Sequence, residues 1–481
     1  MQIRNFFKNI DFVILLFILF LAVGIRIFFN TMPIDDAMIT FRIAKNTASG
    51  NGMVYNSGDK VLSTTTPLYI LILAVFNKLG IDLFFISDFI GIISSLVTII
   101  ITYFFFKDMN MRKTGLLACF ILAFINDYVV YSMNAMETSL YIMLWIISIF
   151  AYNKNKYWLC GFFLGLLIFT RVDGIILAVV LGTLFLMNKR QIPWKMMVSC
   201  IIVLLPWIIY SISYFGVILP NTLSGKQLQA AGRPVFLIVL FGFLYDESYL
   251  LFLPFFIFGI IKLVGKEKAH AVIFWQILYV IFYTLFKLPA YMWYYMPLIP
   301  GIVFIGSTGI INIHKTFKKK KRFLSKAAAS LFLIGMIFAL FSSSILGIKH
   351  YKQKAEPRLY TYRNLGKWLK QNTEKNSTIF FHDIGYVGYF SDRYIYDDDF
   401  ILHKSPEGIK RKFSYSRFIE YFKPDFVVAL KQNNLKDINK INISYNGYRL
   451  IRKFKEDYTY HTDDLRYELR FNYYFYIFKK E

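Results

Sequence analysis

Residues 83–106 read LFFISDFIGIISSLVTIIITYFFF, an apolar stretch carrying a single charge. At a rise of about 1.5 Å per residue a helix of this length reaches about 36 Å, enough to cross a hydrocarbon core about 30 Å thick. Working outward, comparable runs occupy 11–30, 114–131, 138–152, 157–170, 174–188, 196–216, 249–264, 271–287, 297–312 and 327–348. These give about eleven spans. Two shorter stretches, 67–79 and 235–244, raise the upper count to about thirteen. A full crossing by either would break the parity of the neighbouring basic loops, so both are read as juxtamembrane or re-entrant.

Composition agrees. Apolar residues make up 56% of the chain and charged residues 18%, against about 25% charged in soluble domains. A soluble globular enzyme is excluded. The first run follows Arg4 and Lys8, carries Arg26 near its far end and lacks a small-residue cleavage site, so it reads as a retained helix. Cys119, Cys160 and Cys200 all lie in apolar segments without metal or redox spacing, which assigns them to packing.

The net charge of +25 is concentrated in short loops and in the C-terminal tail. Basic loops at Lys107–Lys113, Asn153–Lys156, Asn188–Lys195, Lys262–Lys268 and His314–Arg322 are placed in the cytoplasm by the positive-inside rule. Anionic lipid or lipid phosphate, not nucleic acid, is the expected partner of this charge. The assignment puts the amino terminus inside and everything after Gly347 outside. Outer loops then fall at 31–66, 126–137, 171–173, 217–233 and 288–296, and the unusual polar clusters of the membrane half all lie there. From about 350 the apolar runs shorten. A helix-like stretch (Arg358–Gln371), strand candidates at Thr378–His382 and Phe426–Leu430, and an aromatic tail at Tyr467–Phe478 predict a small α/β domain, 350–481, capping the outer face of a membrane module, 1–349.

The first outer loop begins Met32-Pro-Ile-Asp-Asp-Ala-Met-Ile-Thr-Phe-Arg-Ile-Ala-Lys45. Pro33 followed by Asp35 and Asp36 predicts a helix start, and the mixture of apolar and basic residues behind it predicts a helix lying at the membrane interface. Either one aspartate caps this helix, or the carboxylate pair serves as a general base. Glu137 stands at the start of a span, and Arg171 with Asp173 interrupts a long apolar stretch, which is costly unless the charges pair or face a polar cavity. Pro220-Asn-Thr222 with Lys226 forms a loop. Tyr291, Trp293, Tyr294 and Tyr295 read as an interfacial aromatic belt or a binding platform.

The run Asp35-Asp-Ala-Met-Ile-Thr-Phe-Arg, Gly50-Asn-Gly52, Tyr55-Asn-Ser-Gly58 and Ser63-Thr-Thr-Thr-Pro67 resembles the first periplasmic loop of C-type (GT-C) glycosyltransferases, polytopic enzymes that use polyprenyl-phosphate sugars. Glu137-Thr138, Arg171-Val-Asp-Gly174, Pro220-Asn-Thr222, Trp293-Tyr-Tyr-Met-Pro-Leu-Ile-Pro300, Asp383-Ile-Gly-Tyr-Val-Gly-Tyr-Phe-Ser-Asp392 and Asp397-Asp-Asp399 follow in the same order as in the branch containing the mycobacterial terminal arabinofuranosyltransferases. The C-terminal domain is short for that branch, and Leu62-Ser-Thr64 stands where it has Glu-Gly-Tyr, so the sugar stays open.

The resemblance implies transfer of a sugar from a polyprenyl-phosphate donor to a hydroxyl of a lipid-linked or cell-surface glycan, such as a lipopolysaccharide or surface polysaccharide, at the outer face of a bacterial plasma membrane. It implies Asp35 as base with Asp36 beside it, Arg171, Lys226 and Arg42 as contacts for the donor phosphate, and Glu137, Asp173, Asn221 and Tyr294 as supporting or substrate-binding residues. No cofactor is demanded by the sequence. Asp35, Asp36 and Glu137 could gather a divalent ion, although no histidine-containing ligand pattern accompanies them. The rival readings are a transporter or flippase, which needs polar residues along a path through the membrane, and a glycan-binding assembly subunit without chemistry.

Overall fold

Asp82 opens the long apolar helix by accepting hydrogen bonds from the amides of Phe84 and Phe85, at 3.0 and 3.1 Å. In a computed structural model, which describes residues 10–28, 32–222, 236–246, 249, 253–286, 291–319, 323–403, 415–432, 447–461 and 468–481, every regular element described in the membrane half is a helix. Its helices are α1 (Ile10–Phe28), α2 (Asp35–Ala48), α3 (Pro67–Lys78), α4 (Leu83–Asp108), α5 (Arg112–Phe124), α6 (Asn126–Ser132), α7 (Thr138–Asn153) and α8 (Tyr157–Thr170). There follow α9 (Ile175–Lys189), α10 (Trp194–Phe215), α11 (Phe236–Asp246), α12 (Leu253–Val264), α13 (His270–Leu285), α14 (Ile299–Lys319) and α15 (Phe323–Asn372).

Among the described residues six helices are long and apolar enough to cross a bilayer: α1, α4 and α10 by themselves, and α9, α13 and α14 with the 3-10 turns that lead into them (Val172–Lys189, Glu267–Leu285 and Met292–Thr316). A seventh crossing is made if α5 and α6, bent by 59° at Ile125, count as one broken span. The expected spans at 138–152, 157–170 and 249–264 are the shorter helices α7, α8 and α12, and the short stretch 67–79 forms α3. Large aliphatic and aromatic side chains on α1, α4, α9, α10 and α13 point outward, as a lipid-facing surface requires. Close crossings rest on small residues. A methyl group at Gly309 of α14 would collide with the carbonyl of Phe255 on α12, and one at Gly259 of α12 with that of Ile305 on α14, so the two backbones meet through a glycine on each.

The last of these helices, α15, runs unbroken for 50 residues, about 75 Å. The expected span 327–348 and the expected helix Arg358–Gln371 are two parts of this one rod, which carries the chain from the bundle into the C-terminal domain. That domain adds β1 (Thr378–Phe380), α16 (Ile384–Ser391), β2 (Tyr394–Tyr396), α17 (Tyr415–Phe422), β3 (Phe426–Gln432), β4 (Tyr448–His461) and β5 (Glu468–Lys480). The strands form one sheet in the order β2-β1-β3-β5-β4. β1 is parallel to both neighbours, pairing Ile379 with Ile395 and with Phe426, while β5 runs antiparallel to β3 and β4. Alternation along β1 divides the core. Phe380 faces Phe418 and Ile419 of α17, whereas Ile379 and Phe381 join the main core with Tyr362 and Leu365 of α15 and Val387 of α16.

Candidate active site

The amino end of α2 is the point at which bundle and C-terminal domain meet. Ile34 donates its amide to the carbonyl of Asn134, at 3.3 Å, and the Tyr386 hydroxyl donates to the carbonyl of Pro33, at 2.8 Å. Behind them α2 packs between α16 and α3, with Ala37, Met38, Phe41, Ile43 and Ala44 all buried. The helix expected at the membrane interface is thus enclosed between α3 and α16, with Arg42 and Lys45 turned toward the C-terminal domain.

Asp35 makes no cap for its own helix; Ile34 is the N-cap residue and no side-chain bond is made there. Its carboxylate caps α16 instead. Oδ2 accepts the amide of Gly385 at 2.9 Å and Oδ1 that of Tyr386 at 2.8 Å. These are first-turn amides of α16, the positive end of that helix. A side chain at Gly385 would collide with the backbone carbonyl of Asp35, so glycine is what allows the approach. The half-buried carboxyl of Asp35 is pushed up to about 7, first by burial, then by the negative charge of Asp383, with Asp36 adding to it. The two amide bonds pull the other way and do not prevail. Asp36 is half-buried at the same helix end.

Asp383 was not among the expected site residues. It follows the carboxyl end of β1, and Tyr362 of α15 donates its hydroxyl to Oδ2. His382, its neighbour, places Nδ1 2.6 Å from Asp398 Oδ1 and 3.8 Å from Asp399 Oδ2. The hydrogen bond to Asp398 raises the imidazole to about 9 against the opposing effect of burial. Asp397 turns away to accept the amides of Ile401 and Leu402 at 2.8 and 2.9 Å, and burial pushes it up to about 7. His403, enclosed by Tyr396, Phe400, Phe418 and Phe422, is lowered by burial to about 4 and stays neutral.

Arg42, expected at the donor phosphate, is held by groups of its own loop and of the C-terminal domain. Its buried guanidinium donates to the carbonyls of Tyr55 (2.9 Å), Gly388 (2.7 Å) and Arg393 (2.6 Å), and to Asn56 Oδ1 (3.3 Å), with the Tyr55 ring 4.2 Å away. Neighbouring loop residues act likewise. Tyr55 donates its hydroxyl to the carbonyl of Ile384 at 2.5 Å, and Asn56 exchanges two bonds with the backbone of Ile395 in β2, at 2.9 and 3.1 Å. The first loop is thus stitched to α16 and β2 by backbone-seeking side chains.

A second cluster gathers four of the expected residues. Arg171 forks onto Asp173, Nε to Oδ1 at 3.2 Å and Nη2 to Oδ2 at 2.7 Å, and Nη2 also reaches the Tyr283 hydroxyl at 2.9 Å. Glu137 Oε1 lies 3.9 Å from Nη1, and the rings of Tyr141 and Tyr294 lie 4.8 and 5.2 Å from the guanidinium. Arg171 is buried, and among the described residues Nη1 makes no hydrogen bond. The pairing the sequence allowed is therefore present, with one donor group left over. Tyr295 is buried against Phe236, and Tyr294 is half-buried with its ring facing the Arg171 guanidinium. Asn221 ties its turn to the first loop by donating its amide to the carbonyl of Leu62 at 3.0 Å. Lys226 lies outside the described residues. Among the described residues Asp35, Asp36 and Glu137 do not converge as ligands of one ion; His382, Asp398 and Asp399 do.

Residues 64–210 match the family described as dolichyl-phosphate-mannose-protein mannosyltransferase, and residues 349–476 match a domain of unknown function. No curated protein matches the sequence significantly. Two solved structures of the Archaeoglobus fulgidus oligosaccharyltransferase AglB are similar. One is tethered to an acceptor peptide (TM-score 0.60, 11% identity, covering 87% of this chain and 69% of that one). The other is bound to an inhibitory peptide and dolichol phosphate (TM-score 0.62, 12% identity, 88% and 69%). ArnT from Cupriavidus metallidurans, bound to undecaprenyl phosphate, is similar over 95% of this chain and 97% of its own (TM-score 0.56, 11% identity). The chain is a multi-pass membrane protein that shares the GT-C fold of these solved structures and carries a small C-terminal sheet domain, and over residues 64–210 it is similar to the mannosyltransferase family.

Proposed function

We propose that this protein transfers one sugar from a polyprenyl-phosphate donor to a hydroxyl of a lipid-linked or cell-surface glycan, at the outer face of a bacterial plasma membrane, with Asp35 as general base. The motif order of the sequence supports a place near the terminal arabinofuranosyltransferase branch. The observation that carries the mechanism is the setting of Asp35, a carboxylate held by two amides with a pKa brought to about 7. A base near the working pH is half ionised there and accepts a proton most effectively. In the reaction the acceptor oxygen bonds to the anomeric carbon, its proton passes to Asp35, and the bond from that carbon to the donor phosphate breaks. Polyprenyl phosphate departs with the bonding pair.

The departing phosphate needs a cation. Arg171 offers Nη1, the one group of its guanidinium without a hydrogen bond. Asp173 and Glu137 leave that cluster net negative, so a second cation is required, and Lys226 is the candidate from the sequence. Arg42, committed to backbone carbonyls, is assigned to positioning. Asp36 orients Asp35 or contacts the acceptor, and Asn221 and Tyr294 line the approach.

The test is turnover by purified protein in nanodiscs given defined polyprenyl-phosphate sugars and envelope glycan. Acceptor-dependent release of polyprenyl phosphate is expected, lost in Arg171→Ala. Donor that stays intact with every sugar and acceptor while still binding the protein points to the glycan-binding alternative.

A further inference from the structure

We propose that His382, Asp398 and Asp399 form a site for one divalent transition-metal ion at the carboxyl edge of the C-terminal sheet. One nitrogen and two carboxylate oxygens from these residues lie within 4.8 Å of one another. All three belong to the turns that leave β1 and β2, which are adjacent and parallel. The next strand, β3, joins β1 on its other side, so the chain's connections part to opposite sides of β1.

The chemistry of the donors selects the ion. An imidazole with two carboxylates suits Zn2+ or Mn2+, whereas Ca2+ and Mg2+ prefer oxygen alone. Bonds of about 2.0–2.2 Å set neighbouring ligand atoms about 3 Å apart. His382 Nδ1 and Asp398 Oδ1, now 2.6 Å apart, need to separate by only a few tenths of an ångström, while Asp399 Oδ2, at 3.8 Å from the same nitrogen, closes inward. Both carboxylates are buried and nearly fixed, and the imidazole side chain is 38% exposed, which leaves one side open for the ion to enter. A second imidazole reaches the same run of carboxylates. His403 is 7% exposed, hydrogen-bonds through neither ring nitrogen among the described residues, and places Nδ1 3.3 Å from Asp397 Oδ1. A buried imidazole beside this run of carboxylates, with no hydrogen bond among the described residues, is a polar group that a nitrogen-and-oxygen site would satisfy. An ion here would lock the ends of β1 and β2 together next to Asp383 and the helix that Asp35 caps.

The experiment reads binding, so it is independent of sugar transfer. Full-length protein is stripped with EDTA, then titrated with Mn2+ under electron paramagnetic resonance, and its Zn2+ content is measured after gel filtration. One ion per chain is expected, with affinity at least tenfold lower in His382→Gln and in Asp398→Asn and unchanged in Asp35→Asn. Asp399→Asn supplies a further variant should Asp398→Asn fail gel filtration. No stoichiometric binding by the stripped wild type overturns the proposal and leaves a plain His–Asp ion pair. So does binding that survives His382→Gln, that is lost in Asp35→Asn, or that favours Mg2+ and Ca2+.

Discussion

Arg42→Ala separates the two roles open to this arginine. The guanidinium reaches two carbonyls of the C-terminal domain, Gly388 and Arg393, and two groups of its own loop, Tyr55 and Asn56. Hydrogen bonds to a charged group contribute about 1.5–3 kcal/mol each, so the two that bridge loop and domain amount to about 3–6 kcal/mol. Part is recovered on removal. The Tyr55 carbonyl keeps a bond from Asn46 and that of Gly388 keeps one from Asp392, and the desolvation of a buried guanidinium disappears. A net loss of about 2–4 kcal/mol at this junction is expected, which raises local opening by about 30- to 1,000-fold. Hydrogen exchange by mass spectrometry reads this directly: amides in 50–59 and 384–396 of Arg42→Ala should exchange faster by that factor, with the spans unchanged. Arg42→Lys should recover little, since an ammonium cannot reproduce the planar fork. Unaltered exchange together with a raised KM for donor would refute the clamp and return Arg42 to the phosphate.

Three further outcomes follow from the same junction. The acid limb of kcat/KM should rise with pH through about 7, because the base works only when deprotonated; Asp383→Asn, which removes the neighbouring charge that raises Asp35, should move that midpoint to lower pH. Gly385→Ala should lower turnover by about a hundredfold in a folded protein, because its methyl displaces Asp35; an active variant would show that the approach of α16 to Asp35 is dispensable. We propose, from the basic loops, that the C-terminal domain faces outward. A cysteine replacing Lys480 should react with an impermeant reagent in intact spheroplasts, and labelling only after lysis would reverse the orientation.

What the sequence disclosed follows the range of the interactions. Apolar runs located nearly every helix of the bundle, since membrane burial is written in consecutive residues. Helix α15 was divided in two because hydropathy falls after Gly347 while the backbone stays helical. Strands β1, β3 and β5 were legible from apolar and aromatic runs, but β4, with Arg449, Arg452, Lys453 and Lys455, is an edge strand whose charge disguised it. Asp35 was marked by its place in a loop helix, and Glu137, Arg171, Asp173 and Tyr294 do assemble. The partners of Asp35 were out of reach, being amides 350 residues away that any residue carries. For Arg42 the same limit hid the partners: a charge is visible in sequence, whereas the carbonyls that absorb it are not. His382 and Asp398 sit 16 residues apart on different strands' ends, a spacing no local motif records.

The measurement that bears most directly on the account is single-turnover transfer by Asp35→Asn, with donor affinity determined on the same preparation. Asparagine keeps the shape of the side chain and one acceptor oxygen for the amides of α16, and loses the basicity. Transfer should fall by about 10²–10⁴-fold, the usual contribution of a general base, while donor affinity stays within a fewfold of wild type, since the proton moves only in the transition state. An Asp35→Asn protein that transfers sugar at near wild-type rate would contradict the mechanism and leave Asp35 as the cap of α16 alone.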